Sequence, residues 1–520
     1  MRYFKAGRTS DTFLEFVNRS PPDRWENGVK TVNIDDQNGS AVLQRPQPRA
    51  ARSIVFVNRF FYPDESATSQ MLTDLAVDLA KKGHAVRVVT SRLHSGEKRL
   101  LPRNEIIQGV EVFRVASRAQ LRSGRRWKLF AYLSFYPRAF VALMRVVRKG
   151  DLVVAKTDPP LIAIIAMIVA FFRAAGLVTW LQDLYPEVAI ELKAPLVSGR
   201  FGAFLVNRRN TALRFAKANV VIGDLMAKNL ERGGIPARNI YVVHNWADDQ
   251  AIQPINSGQS EMRKRWGLDR NTFVVGYSGN LGRAHEIETV LEASVILRDS
   301  DVRFLFVGSG HGNELLRAAV LKRGLTNFIF EPHQPREALS DVLGAADAHW
   351  LSLRPELEGL IVPSKFYGIL ASGRPVLAVT SQGGQIASEV RKHNCGFVIA
   401  PGDHKELVCV IERLVSERDL CTRTGEAARH ATDTRFSKGG ALRAWSNVID
   451  SIGQLPGPAQ AKLRFVKAKS NPQIPDSAIM SARAVPSPLA SQSATSSQRI
   501  MSKRETVFRS HEVPHAEAPN

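Results

Sequence analysis

At 520 residues, with 44% apolar and 23% charged side chains, the chain is globular and too long for one hydrophobic core, which predicts two domains plus tails. Three cysteines without metal spacing argue against a disulfide scaffold and favour a reducing cytoplasm. A formal net charge of +22 requires a partner that accepts positive charge, which leaves nucleic acid, anionic lipid and phosphorylated substrates open.

Residues 1–50 contain no apolar run fit for a signal peptide, because Pro, Asn, Asp and Arg interrupt it, and they read as a disordered tail. A buried strand follows at 53–58, then a polar loop from Pro63 to Ser69 and an amphipathic helix over 70–82 that Gly83 ends. Strands are expected near 85–90, 110–115, 152–155, 178–181, 220–222 and 241–243. Residues 161–172 form the longest apolar run, well short of the roughly 20 residues a spanning helix needs. They read as a buried helix before a core strand, with a shallowly inserted helix as the alternative. A second series of strands falls near 273–277, 304–307, 328–330, 349–353, 376–378 and 397–399. From 454 onward Pro, Ser, Ala and Gln dominate, which predicts a second disordered tail. The class is α/β: two doubly wound halves, 51–245 and 246–453, between tails 1–50 and 454–520.

In such sheets ligands sit beyond the carboxyl ends of the strands, so the loops there are the candidates. They are the segment around Glu65, Ser66 and Thr68; Gln182-Asp183-Leu184-Tyr185-Pro186-Glu187; Ser278-Gly279-Asn280-Leu281-Gly282-Arg283-Ala284-His285; and Gly308-Ser309-Gly310. Two more follow Pro363 and Gly383. A helix over 364–372, opened by Pro363-Ser364 and stopped by Gly373, aims its free N–H groups and Lys365 at an anion, most simply a phosphate. Plainer readings exist for each. Gly308 and Gly310 read more readily as a tight turn than as a cofactor fingerprint, which would need a third spaced glycine. Asp183 can cap a turn, and Lys365 can be an ordinary surface lysine.

Taken together, the motifs resemble the GT-B fold glycosyltransferases of family 4, especially the branch that builds bacterial surface polysaccharides. Tyr62-Pro63, Gly83-His84-Ala85-Val86, Asp183-Leu184-Tyr185-Pro186-Glu187, Asn245, Tyr277-Ser278-Gly279-Asn280-Leu281-Gly282, Pro363-Ser364-Lys365 and Ala371-Ser372-Gly373-Arg374-Pro375 occur in the family's order. The resemblance implies two Rossmann-like domains facing each other across a cleft. It also implies sugar transfer from a nucleotide-sugar donor, UDP-linked by expectation, with retention and neither cofactor nor obligatory metal. The acceptor would be a saccharide or a polyprenyl diphosphate-linked one, in exopolysaccharide, O-antigen or capsule synthesis.

On this resemblance Asp183 orients or polarises the acceptor hydroxyl, and Glu65, Ser66 and Thr68 line the acceptor side. Asn280, Arg283, His285, Gly308, Gly310, Glu358, Ser364, Lys365 and Gly384 line the donor side. The chain departs from the family where a second glutamate usually holds the ribose, because that position is Gly368. The first glutamate position falls on Leu360, with Glu356 and Glu358 close by. Lys365 and Arg283 are left to neutralise the diphosphate.

The acid-free stretch between Val112 and Gly150 interleaves aromatics with cations, including Arg122, Arg125, Arg126, Trp127 and Lys128. That pattern suits an anionic membrane surface and a peripheral place on the inner face of the cell membrane. A solvated basic helix with its aromatics in the core would look the same. A second acid-free stretch spans 192–223. Two other functions compete. A nucleotide-sugar epimerase shares the architecture, and a nucleic-acid-binding protein would use the charge but not the phosphate-directed loops, so no nucleic acid is expected as partner.

Overall fold

Strands with apolar residues on both faces can only be buried between helix layers, and the strands here pair accordingly. The computed structural model describes residues 30–31, 53–92, 100–115, 130, 132–194 and 197–454. In the first sheet β1 (Lys30–Thr31), β2 (Ile54–Val57), β3 (Val86–Ser91), β4 (Asn104–Ile107), β5 (Val110–Val115), β6 (Leu152–Lys156), β7 (Gly176–Leu181), β8 (Ala218–Val221) and β9 (Ile240–Val242) lie in the order β1-β9-β8-β7-β6-β2-β3-β5-β4. Every pair is parallel except β4 with β5. Within the segment 1–50, Lys30 and Thr31 pair with Tyr241 and Val242.

The second sheet holds β10 (Phe273–Ser278), β11 (Val302–Val307), β12 (Phe328–Glu331), β13 (Ala348–Ser352), β14 (Val376–Val379) and β15 (Gly396–Ile399). Its order is β12-β11-β10-β13-β14-β15, parallel throughout. Apart from β1 at the edge of the first sheet, the chain in each sheet starts at a central strand, winds outward on one side and then returns to the other. The winding direction reverses between β2 and β6 in the first sheet and between β10 and β13 in the second. Crevices open at such reversals, and both candidate sites lie there.

The helices that bear on these sites are α1 (Ala67–Lys81), α2 (Phe135–Val146), α3 (Ile162–Arg173), α4 (Gly199–Phe215), α5 (Lys365–Ala371), α6 (Gln385–His393) and α7 (Lys438–Gln454). The run over 161–172 does form a helix, α3, which buries Ile162, Ala163, Ala166, Met167, Val169 and Ala170. Its last turn leaves Phe171 and Phe172 exposed. Among the described residues no helix is long and apolar enough to cross a membrane.

Helix α7 lies beyond the second sheet in sequence but packs into the core of the first, with Trp445, Val448 and Ile452 fully buried there. The Trp445 ring stands 4.7 Å from that of Trp180 on β7. Covering a tryptophan of this size stabilises by several kcal/mol, on the order of 3–5 on truncation to alanine, so the two halves fold around a shared element. Lys438, at the start of α7, pairs with Asp74 of α1 at 2.7 Å and with Asp248 of the connecting segment at 3.3 Å.

Candidate active site

On the second sheet, the loops after β10 and β11 continue the strand pairing past the strand ends. Gly279 N–H donates to Val307 O and Leu281 N–H to Ser309 O, each at 2.8 Å. This close approach explains the glycines: a Cβ on Gly308 would collide with the Gly279 carbonyl, and one on Gly310 would lie 2.5 Å from Asn280 Oδ1. Both also have positive φ, at 128° and 121°. The Lys365 side chain then crosses Gly279, its Cε 2.8 Å from where a Cβ would stand. Its Nζ lies 5.6 Å from the Tyr277 ring centre. Burial pushes Lys365 down to about 8, and an anion at this point would raise it again.

Helix α5 is shorter than expected, seven residues from Lys365, and Ser364 makes no side-chain cap bond. So short a helix carries little macrodipole, and the positive charge here resides in Lys365 itself. Ser364, Lys365 and Gly368 line a cavity of about 160 Å³ that also touches α1 and the connecting segment through Gln70, Asp74 and Trp246. Lys365 and Gly368 also line a second cavity, about 150 Å³, against Tyr277 and Trp350. A Cβ on Gly368 would meet only Leu343 Cδ1, at 3.9 Å.

His285 is held from both sides. Its Nδ1 lies 2.8 Å from the Ser352 carbonyl, which can only accept, so this nitrogen carries the proton. Its Nε2 faces the Tyr277 hydroxyl at 3.3 Å, while that hydroxyl donates to Asn280 O at 2.8 Å. Burial, and then the charge of Lys365, push His285 down to about 4, so it is neutral at physiological pH. Asn280 and Arg283 are exposed at the loop tip. Glu358 is committed within the protein. Its carboxylate accepts from the Thr380 hydroxyl and from Gln385 N–H at the start of α6. Gly384 has no side chain because the Glu358 carboxylate occupies that space.

On the first sheet Asp183 lies two residues beyond the end of β7. Burial, then the nearby charge of Asp158, push its carboxyl group up to about 6, and Lys156 counteracts them. Within the same motif Glu187 pairs with the buried Arg209 of α4, whose Nη1 also donates to Tyr185 O at 3.1 Å. The residue before the motif, Gln182, exchanges two hydrogen bonds of 3.0 and 2.8 Å with Asn245. Ser66 is the N-cap of α1, its hydroxyl accepting from Ser69 N–H at 3.4 Å, and lies 3.3 Å from the Thr68 hydroxyl. Glu65 is exposed, and the Thr68 carbonyl accepts from Lys156 at 2.9 Å. Lys156 was missed from sequence, since a lysine closing an apolar strand looks like an ordinary strand end. Arg122, Arg125, Arg126, Trp127 and Lys128 lie outside the described residues.

The two loop sets meet. Asp183 forms an antiparallel bridge with Ile361, and Leu184 N–H donates to Leu360 O at 2.9 Å. Asn229 Nδ2 reaches Gly359 O at 3.0 Å from the same side. A titratable carboxyl group of one half is thereby set against the segment leading to Lys365 of the other.

The model for group 1 glycosyl transferases matches residues 258–431, and the glycosyl transferase 4-like domain matches residues 66–246. Together they cover well over half of the chain and meet near the connection between the sheets. The chain belongs to the glycosyltransferases of the GT-B fold. This glycosyltransferase is 27% identical over 326 residues to the putative colanic acid biosynthesis glycosyl transferase WcaI of Escherichia coli, covering 60% of this chain and 79% of WcaI. It is 26% identical over 290 residues to the probable glycosyltransferase WbjE of Pseudomonas aeruginosa, covering 55% and 71%. Among solved structures, Anabaena HepE in complex with UDP superposes with a TM-score of 0.58 at 18% identity, covering 77% of this chain and all of HepE.

Proposed function

We propose that this glycosyltransferase takes a sugar from a nucleotide-sugar donor, UDP-linked in the first instance. It delivers that sugar with retention to a hydroxyl of a lipid-linked saccharide in surface polysaccharide assembly. The observation that carries the reading is the pairing of the Asp183 segment with Leu360–Ile361, which sets an acceptor-side carboxyl group against the donor-side segment that leads to Lys365. WcaI is named for colanic acid biosynthesis, and HepE was crystallised with UDP-glucose.

The diphosphate would lie against Lys365, with Arg283 free at the loop tip to add charge, and its departure would be helped by that positive charge. Neutral His285 holds Tyr277 and the loop rather than the charge. As the sugar leaves, a phosphate oxygen takes the proton of the attacking hydroxyl on the same face, which Asp183 orients and polarises from below. This reading assigns the reaction no resident metal, so chelator should leave turnover unchanged.

The acceptor half also suits a membrane. Helices α2, α3 and α4 contain no acid and pack side by side. Their outer surface exposes Val141, Phe171, Phe172 at 63%, Phe201 and Phe204, with Arg173, Arg200 and Arg208 nearby. Aromatic side chains among cations and free of acids fit an anionic bilayer surface, where each cation adds on the order of 1 kcal/mol.

Thermal-shift measurement with a panel of UDP-, GDP- and ADP-sugars tests the donor assignment. Stabilisation by a UDP-sugar is expected, and no response to any member would overturn it.

A further inference from the structure

Where the two halves meet, three glycines each leave room for a side chain from another segment. A Cβ on Gly223, two residues beyond the end of β8, would stand 2.9 Å from Gln385 Oε1. One on Gly359 would stand 2.6 Å from Asn229 Nδ2, and one on Gly384 would collide with the Glu358 carboxylate. Gly223 and Gly384 are also the N-cap residues of two helices, Asp224–Arg232 in the first half and α6 in the second. A glycine has no side chain to cap a helix with, so both starts depend on other residues.

Those residues form a ring. Gln385 Oε1 accepts from Leu225 N–H at 3.0 Å, so a residue of the second half caps a helix of the first. Glu358 in turn caps α6, its carboxylate accepting from Gln385 N–H at 3.3 Å and from the Thr380 hydroxyl. The next residue, Gly359, accepts at its carbonyl from Asn229 Nδ2 at 3.0 Å, and Asn229 belongs to the helix that Gln385 caps. Gln385 is 5% exposed, and its Nε2 donates to Glu389 Oε1 at 2.9 Å. Both ends of its amide are therefore committed, which leaves the side chain one orientation.

The ring passes through the segment 358–361. That segment pairs with Asp183 and Leu184 through Ile361 and the Leu360 carbonyl, and it leads to Lys365 at the start of α5. Neither Gln385 nor Asn229 lines the two cavities beside Lys365.

We propose that Gln385 and Asn229 are positioning residues for glycosyl transfer: through the ring they hold segment 358–361, and with it the Asp183 carboxyl group, in register with the donor side. The proposal rests on the reaction proposed above. A side chain that only filled the gap between the halves would act through its shape, whereas these act through their amides.

Gln385→Met and Asn229→Leu keep the approximate size of each side chain and remove its amide. Hydrogen exchange at Leu184 N–H in the full chain, a bond that neither substitution touches, should quicken by about tenfold or more in either variant. The melting shift produced by UDP should remain that of wild type. With the most stabilising nucleotide sugar as donor and a polyprenyl diphosphate-linked monosaccharide as acceptor, kcat should fall by about tenfold or more at unchanged donor KM. Because both residues close one ring, the double variant should lose little more than the worse single one. Combining Gln385→Glu with Glu389→Gln exchanges amide and carboxylate, keeps an acceptor for Leu225 N–H, and should restore most of the lost kcat.

Wild-type exchange at Leu184 together with wild-type kcat in both single variants overturns the proposal. So does a loss of kcat matched by an equal loss of the UDP response, or failure of both variants to fold, since either marks a structural role alone. If the wild-type protein responds to no nucleotide sugar and transfers nothing, the reaction proposed above is what fails, and exchange at Leu184 still decides whether the ring holds the segment.

Discussion

Leu184 N–H donates to Leu360 O at 2.9 Å, one backbone bond between the two halves of the protein. With the bridge from Asp183 to Ile361 beside it, this bond makes the position of the Asp183 carboxyl group a property of both sheets. Asp183→Asn should reduce transfer by roughly 100-fold or more while UDP still stabilises the protein. Wild-type activity should fall as pH drops below about 6, the value to which burial pushes this group. The sign for stability is the reverse. A carboxyl group raised above its unfolded value stabilises fully in the acid range, and that contribution is lost as pH rises through about 6. Asp183→Asn should therefore melt a few degrees higher than wild type at neutral pH, a gap that calorimetry would see close in acid.

Lys365 behaves in the opposite sense. Its value is lowered to about 8 by burial, so the folded protein carries the cost of a buried charge below that pH and loses it above. Lys365→Met should stabilise the free protein at neutral pH, yet bind UDP roughly 10- to 100-fold more weakly by calorimetry. Wild-type UDP affinity should decline above about pH 8. A variant with unchanged UDP affinity would remove Lys365 from the donor site.

Gly368 tests whether the space beside α5 is used. Nothing crowds a Cβ there, so Gly368→Ala should add about 0.5–1 kcal/mol of stability through helix propensity alone. Gly368→Leu would intrude on the space that the glycine lines, and UDP-induced stabilisation should fall sharply. Equal UDP responses in the two variants would show that the cavities are idle.

The paired loops give a control within one site. Gly308→Ala forces a Cβ onto the Gly279 carbonyl at a φ of 128°, and should cost at least about 2 kcal/mol in denaturant unfolding. Gly282→Ala, in the same loop pair, meets only Asn280 Nδ2 at 3.8 Å and should be near neutral.

For the proposed membrane face, replacing Phe171, Phe172, Phe201 and Phe204 by serine should reduce binding to vesicles containing anionic lipid by about tenfold or more in flotation assays. Turnover of a water-soluble acceptor should stay as it was. Retained vesicle binding would place the contact elsewhere.

The alternation of short apolar strands with helices was legible because period and burial are local properties: β2 is buried end to end and reads so in sequence, as do the apolar residues of β6 and β8. Candidate loops were legible for the same reason, since Gly, Pro and Asp mark the strand ends. Other features needed partners distant in the chain. His285 reads as a donor-loop residue, yet its Nδ1–H donates to the Ser352 carbonyl, 67 positions away. Glu358 reads as a free carboxylate near the donor, yet it is bound to Thr380 and Gln385.

By itself the sequence determined two parallel-sheet halves and the loops marked by Gly, Pro and Asp at their strand ends, because each follows from residue type and spacing, whereas Gly368 stood out only through the family resemblance. Only the tertiary structure decided that Lys365 must cross Gly279, that Lys156 lies under Thr68 beside Trp180, and that α7 returns to the first core. Those outcomes depend on which surfaces meet and how far water is excluded, and burial shifts the charge of a lysine or a carboxyl group in ways that no local pattern encodes.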